Sequence, residues 1–136
     1  MASIFTKIVA GEIPCYRVYE DANHLAFLDI NPNAKGHTLC ITKKETDRLF
    51  DLPLDEYTAL MSFSQKVALG LRKAVPCKRV GLTVIGLEVP HVHVHLIPLH
   101  QMADATFGKK EQLSAETMQQ LAQTINQSQA SAQAAQ

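Results

Sequence analysis

The chain has no surplus of charge: across its 136 residues, thirteen Lys and Arg balance thirteen Asp and Glu. A long-range electrostatic pull towards nucleic acid or an anionic membrane is therefore excluded as the main binding force, and any anion must be held locally. Cysteine is scarce. Cys15, Cys40 and Cys77 are odd in number, far apart and without a C-x-x-C pair, so a reducing, cytoplasmic setting without a disulfide framework is expected. No stretch approaches the roughly 18 consecutive apolar residues of a membrane span. The opening MASIFTKIVAGEIP also lacks the apolar run of a secretory signal. Neither an internal repeat nor a linker divides the sequence.

What is present is ordinary globular material, 46% hydrophobic and 19% charged, in an amount that suits one domain with a real core. Residues 1–126 are expected to form it, and the Gln/Ala/Ser-rich stretch 127–136 is expected to fray. Ser3 can cap a short helix to about Ala10, with Gly11 as its stop. Alternating patterns predict strands over 16–20, 25–30, 37–42 and 79–85. A long helix is predicted from Pro53, with Asp55 and Glu56 at its start, Arg72 and Lys73 at its end and Pro76 beyond. Residues 99–113 read as irregular. Ser114 begins a last helix with Met118, Leu121, Ala122 and Ile125 on one face. These elements predict an α+β fold: a five-stranded, mostly antiparallel sheet with helices packed on one side.

The most unusual stretch is Pro90-His91-Val92-His93-Val94-His95-Leu96-Ile97-Pro98. Valines favour extended backbone, and side chains on a strand alternate between faces. His91, His93 and His95 are thus expected on one face, about 6.5–7 Å apart. Three readings remain open from the residues alone: the wet face of a sheet, a set of metal ligands, and a metal-free catalytic or anion-binding face.

With its strands in place the chain resembles the histidine-triad (HIT) proteins, whose signature is H-x-H-x-H-x-x with apolar x, here His91 to Ile97. The likeness extends over Ile4 to Pro14, over Ala26-Phe27-Leu28-Asp29-Ile30-Asn31-Pro32 and over Gly36 to Lys44, and so over most of residues 3–98. The resemblance implies a homodimeric nucleotide hydrolase or transferase that acts at an α-phosphate without a cofactor. It implies that His93 is the nucleophile, with a backbone carbonyl near His91 fixing its tautomer and His95 touching the phosphate. His37 matches the family's fourth histidine. Asp29 matches the carboxylate that grips the ribose, and Ile4, Phe5, Ile8, Phe27, Ile30 and Leu39 match the apolar slot for the base. On their own, Asp29 would pass for a turn residue and Phe27 for core.

Such chemistry is reasonable for imidazole, which is a good nucleophile near neutral pH and gives an N–P bond labile to water. The expected substrate is a purine nucleoside phosphoramidate or related nucleotide. The alternatives are a dinucleoside-polyphosphate hydrolase and a nucleotide-binding dimer with weak or no catalysis. Two departures from the family pattern bear on this. Many relatives bind structural zinc through cysteines in the first helix, where this chain has Thr6 and Val9, so no metal is expected. Relatives also usually carry Gln and Ser or Thr ahead of the triad, where this chain has Leu87 and Glu88.

Overall fold

The computed structural model describes residues 2–134, with side chains as far as Gln129. Five strands form a sheet: β1 (Arg17–Glu20), β2 (His24–Leu28), β3 (Thr38–Thr42), β4 (Arg79–Thr83) and β5 (His93–Leu99). Every pairing is antiparallel and the spatial order is β1-β2-β3-β5-β4. Three α-helices, α1 (Ile4–Val9), α2 (Leu54–Ala74) and α3 (Ala115–Ala134), accompany the sheet.

The period-2 alternation of the strands divides the interior in two. Ala26, Leu28, Cys40, Val94 and Leu96 face α2 and α3, where they meet Leu60, Phe63, Val67 and Leu71 of α2 and Met118, Leu121 and Ile125 of α3. Leu25, Phe27, Leu39 and Ile41 point the other way and meet Phe5 and Ile8 of α1. With both faces covered, β2 and β3 are buried at every position. The two long helices thus share one side, and the short α1 lies on the other, next to the histidines. The α1 cap is the expected one, the Ser3 hydroxyl accepting from the Thr6 N–H at 3.0 Å. In α2, Ser64 interrupts the apolar stripe at no cost in unpaired groups, because its hydroxyl donates to the Leu60 carbonyl at 2.9 Å.

Two expectations need correction. The stretch read as a frayed tail is helical: α3 continues through Gln127 to Ala134, while residues 135–136 lie outside the described residues. Ala and Gln are good helix formers, and tertiary packing anchors the segment at Gln129. Gly70 of α2 has no side chain, and the backbone of Gln129 lies against it so closely that a Cβ there would stand 2.4 Å from the Gln129 Cα. The segment after β5, read as irregular, contains a 3-10 turn over Met102–Ala105. The Asp104 carboxylate builds that turn by accepting from the backbone N–H of His100 (2.8 Å) and of Gln101 (3.1 Å).

Replacing Gly70 by Ala forces α2 and α3 apart. The variant is expected to lose about 2–3 kcal/mol of unfolding free energy, read as a lower urea midpoint with an unchanged slope. A wild-type midpoint would mean that the helices do not depend on this contact.

Candidate active site

On the α1 side of the sheet a cleft of about 770 Å³ opens between α1, the ends of β2 and β3, β5 and the loops after β4 and β5. Phe5, Ile8, Phe27 and Leu39 form its apolar floor, with Ile4 and Ile30 at the more exposed rim. Asp29 lies just past the end of β2, and His93 and His95 lie along the wall formed by β5. His91 and His37 stand behind that wall, both fully buried. The strand starts at His93 rather than His91, so the triad does not form one open row: two rings line the cleft and one supports them from behind.

The hydrogen-bond partners assign each tautomer. His93 Nδ1 lies 2.7 Å from the His91 carbonyl oxygen, which can only accept. The proton is therefore on Nδ1 and, in the neutral ring, the Nε2 lone pair is free. The Asn33 N–H donates to His37 Nδ1 at 3.0 Å, so His37 is protonated on Nε2. That N–H lies 2.9 Å from His95 Nδ1 and donates to it. The proton of His95 is consequently on Nε2. His91 donates from Nε2 to the Thr42 carbonyl at 2.7 Å and accepts at Nδ1 from the Ser3 hydroxyl, also at 2.7 Å. Glu45 ties off the other end of this network by accepting from the Ser3 N–H (2.6 Å) and the Thr6 hydroxyl (2.7 Å).

Burial disfavours the charged form of His37, His91 and His95. It lowers the pKa of His37 to about 3 and of His95 to about 4, helped by neighbouring imidazoles. It also lowers that of His91, against the pull of the Thr42 carbonyl and Glu45. The 3.6 Å approach of His37 Nε2 to Asp29 Oδ2 is thus a contact with a neutral ring, not an ion pair. Burial raises the Asp29 pKa, opposed by the Asn31 N–H and the charge of Lys110. Glu45, which is exposed, is held down at about 2 by its two donors.

Residues 10–102 match the HIT domain family model. The chain belongs to the HIT family. An uncharacterized HIT-like protein of Methanocaldococcus jannaschii is 44% identical over 109 residues, 72% of this chain and 79% of that protein. The adenosine 5'-monophosphoramidase hnt1 of Schizosaccharomyces pombe is 38% identical over 100 residues, 72% of this chain and 74% of that protein. Among solved structures, a Zn-bound histidine triad family protein from Mycobacterium smegmatis superposes with a TM-score of 0.84 at 26% identity, covering 100% of this chain and 99% of that one.

The donors in this HIT chain fit zinc poorly. Around His91 Nδ1 stand two hydroxyls, Ser3 and Thr6, whereas zinc takes thiolate, imidazole or carboxylate. Asp29, His37 and His95 do bring one ligand atom each within 4.8 Å of one another. There His37 Nε2 and His95 Nδ1 already satisfy each other in a hydrogen bond.

All the residues singled out from the sequence gather at this one face. Sequence reasoning missed Asn33, Phe107 and Lys110, which come from irregular segments, and the Ser3–Glu45 network behind His91. Phe107 has a left-handed φ of 64°, and its ring meets His95 edge-on at 4.9 Å between centroids. The one signal for Asn33 in the sequence is its place in Asn31-Pro32-Asn33, a run of residues that break regular structure.

The neutral, buried rings predict the pH dependence of stability. In the unfolded chain His37 and His95 protonate near 6.5, while in the folded chain they resist until about 3 and 4. Stability is therefore full above about pH 6.5 and falls as the pH drops towards 4, with unfolding taking up about two protons in that window. Asp29, shifted upward, works in the opposite direction, and Glu45 contributes its loss only below the ordinary carboxylate value of 4.5. Urea titrations at intervals from pH 7.5 to 4.5 measure this. An unfolding free energy that stays flat down to pH 5 would contradict the neutral assignment.

Proposed function

We propose that the protein hydrolyses nucleotides at the α-phosphate, with a purine nucleoside phosphoramidate as the substrate class and a nucleotidyl group on His93 as the intermediate. The observation that carries this reading is the 2.7 Å bond from His93 Nδ1 to the His91 carbonyl. With its proton held there, the ring offers the Nε2 lone pair to phosphorus. The Nε2–P bond forms as the P–N bond to the leaving amine breaks, and the amine takes the bonding electron pair and a proton from solvent. Water then attacks the same phosphorus, giving one proton back to solvent, releasing the nucleoside monophosphate and returning the lone pair to Nε2. His95, protonated on Nε2, donates to the phosphoryl oxygens. Asp29 holds the ribose hydroxyls, and the base lies in the slot of Ile4, Phe5, Ile8, Phe27, Ile30 and Leu39. The phosphoramidase name of the fission-yeast relative supports this class.

Leu87 and Glu88 favour a second reading, a nucleotide-binding dimer with weak catalysis. Both lie exposed at the mouth of the cleft and neither offers a hydroxyl. One variant separates the two. His93→Ala is expected to lower kcat on adenosine phosphoramidate by roughly 10³-fold or more while AMP still binds. Single-turnover trapping should find nucleotide on His93 in the wild type. Unchanged turnover in the variant would overturn the nucleophile, and no measurable wild-type turnover would leave binding as the function.

The working unit in this proposal is a homodimer in a reducing, cytoplasmic setting. β4 ends the sheet, and Leu82 on it and Ile85 and Leu87 just beyond it are exposed apolar residues. An open strand edge beside such a patch invites two-fold pairing. Light scattering should give about twice the 15.0 kDa of one chain, and a monomer mass at micromolar concentration would contradict the dimer.

A further inference from the structure

A nucleotide brings negative charge into a cleft that already holds two carboxylates, Asp29 and Glu88. His37 and His95 do not offset it, being neutral at pH 7. Among the described residues that line the cleft, one carries an ammonium, and it is Lys110. We propose that Lys110 binds the α-phosphate, so that the loop after β5 supplies the cation that the strand itself lacks. The assignment rests on the nucleotide reading above. It adds the group that selects a phosphorylated nucleoside over a free one.

The loop is built to hold that charge in place. Lys110 Nζ donates to Asn33 Oδ1 at 2.7 Å and stands 4.9 Å from the centre of the Phe107 ring. That ring in turn packs edge-on against His95, so the ammonium is placed next to the triad by a direct chain of contacts. Asn33 is fully buried and fixed on both sides: its Nδ2 donates to the Asp104 carbonyl, and its backbone N–H donates to His37. The Glu111 N–H, one residue on, donates to the Pro32 carbonyl at 2.8 Å and pins the end of the loop.

The ammonium has capacity to spare. It has three N–H donors, of which Asn33 takes one, and among the described residues no carboxylate comes within ion-pair distance of it. Its neighbour Lys109 is committed elsewhere, to Asp104 at 3.6 Å and Glu111 at 3.3 Å, and does not line the cleft. A phosphoryl oxygen can thus take an N–H of Lys110 without displacing an existing ion pair, in a half-enclosed site where a charge-assisted bond is stronger than in water.

Calorimetric titration of the wild type, Lys110→Met and Lys110→Arg with AMP and with adenosine tests the assignment. Lys110→Met is expected to weaken AMP roughly ten- to hundredfold and to leave adenosine unchanged, while Lys110→Arg keeps most of the AMP affinity. Adenosine has the base and the ribose without the phosphate, so its binding reports whether the loop and slot survive the substitution. Equal losses for both ligands would make Lys110 a support for the loop and overturn the proposal. A wild-type preference for AMP that survives Lys110→Met would overturn this assignment alone. Wild-type protein that binds AMP no better than adenosine would overturn both this assignment and the nucleotide reading.

Discussion

The bond between the His93 ring and the His91 carbonyl exists because the β3–β5 ladder stops where it does. Its last pair is Ile41 with His93. Beyond it the chain turns away: the Val92 N–H goes to the Thr46 carbonyl and the His91 N–H to that of Val89. The His91 carbonyl is thereby left out of the sheet and takes a side-chain donor instead. A buried carbonyl needs a partner, and the ring next to it supplies one. The need to satisfy one backbone group thus fixes the proton on Nδ1, and with it the atom available for chemistry.

The remaining rings follow from the same demand. Each buried imidazole must place one proton and one lone pair, and backbone groups decide which goes where. The Asn33 N–H sets His37, His37 sets His95, and the Thr42 carbonyl sets His91. Burial then keeps the protonated forms out of reach at neutral pH. These three rings gain defined donors and acceptors but give up positive charge. The Ser3 hydroxyl serves two elements at once: it caps α1 and donates to His91. A six-residue helix is too short to hold by itself, so α1 depends on this contact and on Phe5 and Ile8 beneath it.

The sheet was legible because it rests on periodicity, whereas the apolar slot of the cleft was read from the family resemblance. Val94 and Leu96 alternate with His93 and His95, and that pattern alone put valines in one core and imidazoles opposite. Asp29 and His37 were legible only through the family motif. Nothing in the sequence itself separates them from turn and strand-end residues. Asn33, Phe107 and Lys110 were not legible, since their positions depend on a loop whose conformation is set by contacts distant in sequence: Lys110 is 77 residues from Asn33. Ser3 and His91 are likewise 88 residues apart. The helical end of α3 was misread because a polar, Gln/Ala/Ser-rich end suggests fraying, whereas the close approach at Gly70 depends on a groove in α2 that composition does not describe.

The strand that carries the imidazoles also supplies core to the long helices, residue by residue. Insertion or deletion of a single residue within β5 would invert it, sending valines into the cleft and histidines against Leu60, Phe63 and Leu71. Change along this strand can therefore proceed by substitution but hardly by a shift in length. The loops on either side, where Leu87 and Lys110 lie, have no alternating register to lose, so a change of length there leaves the two faces of the strand in place.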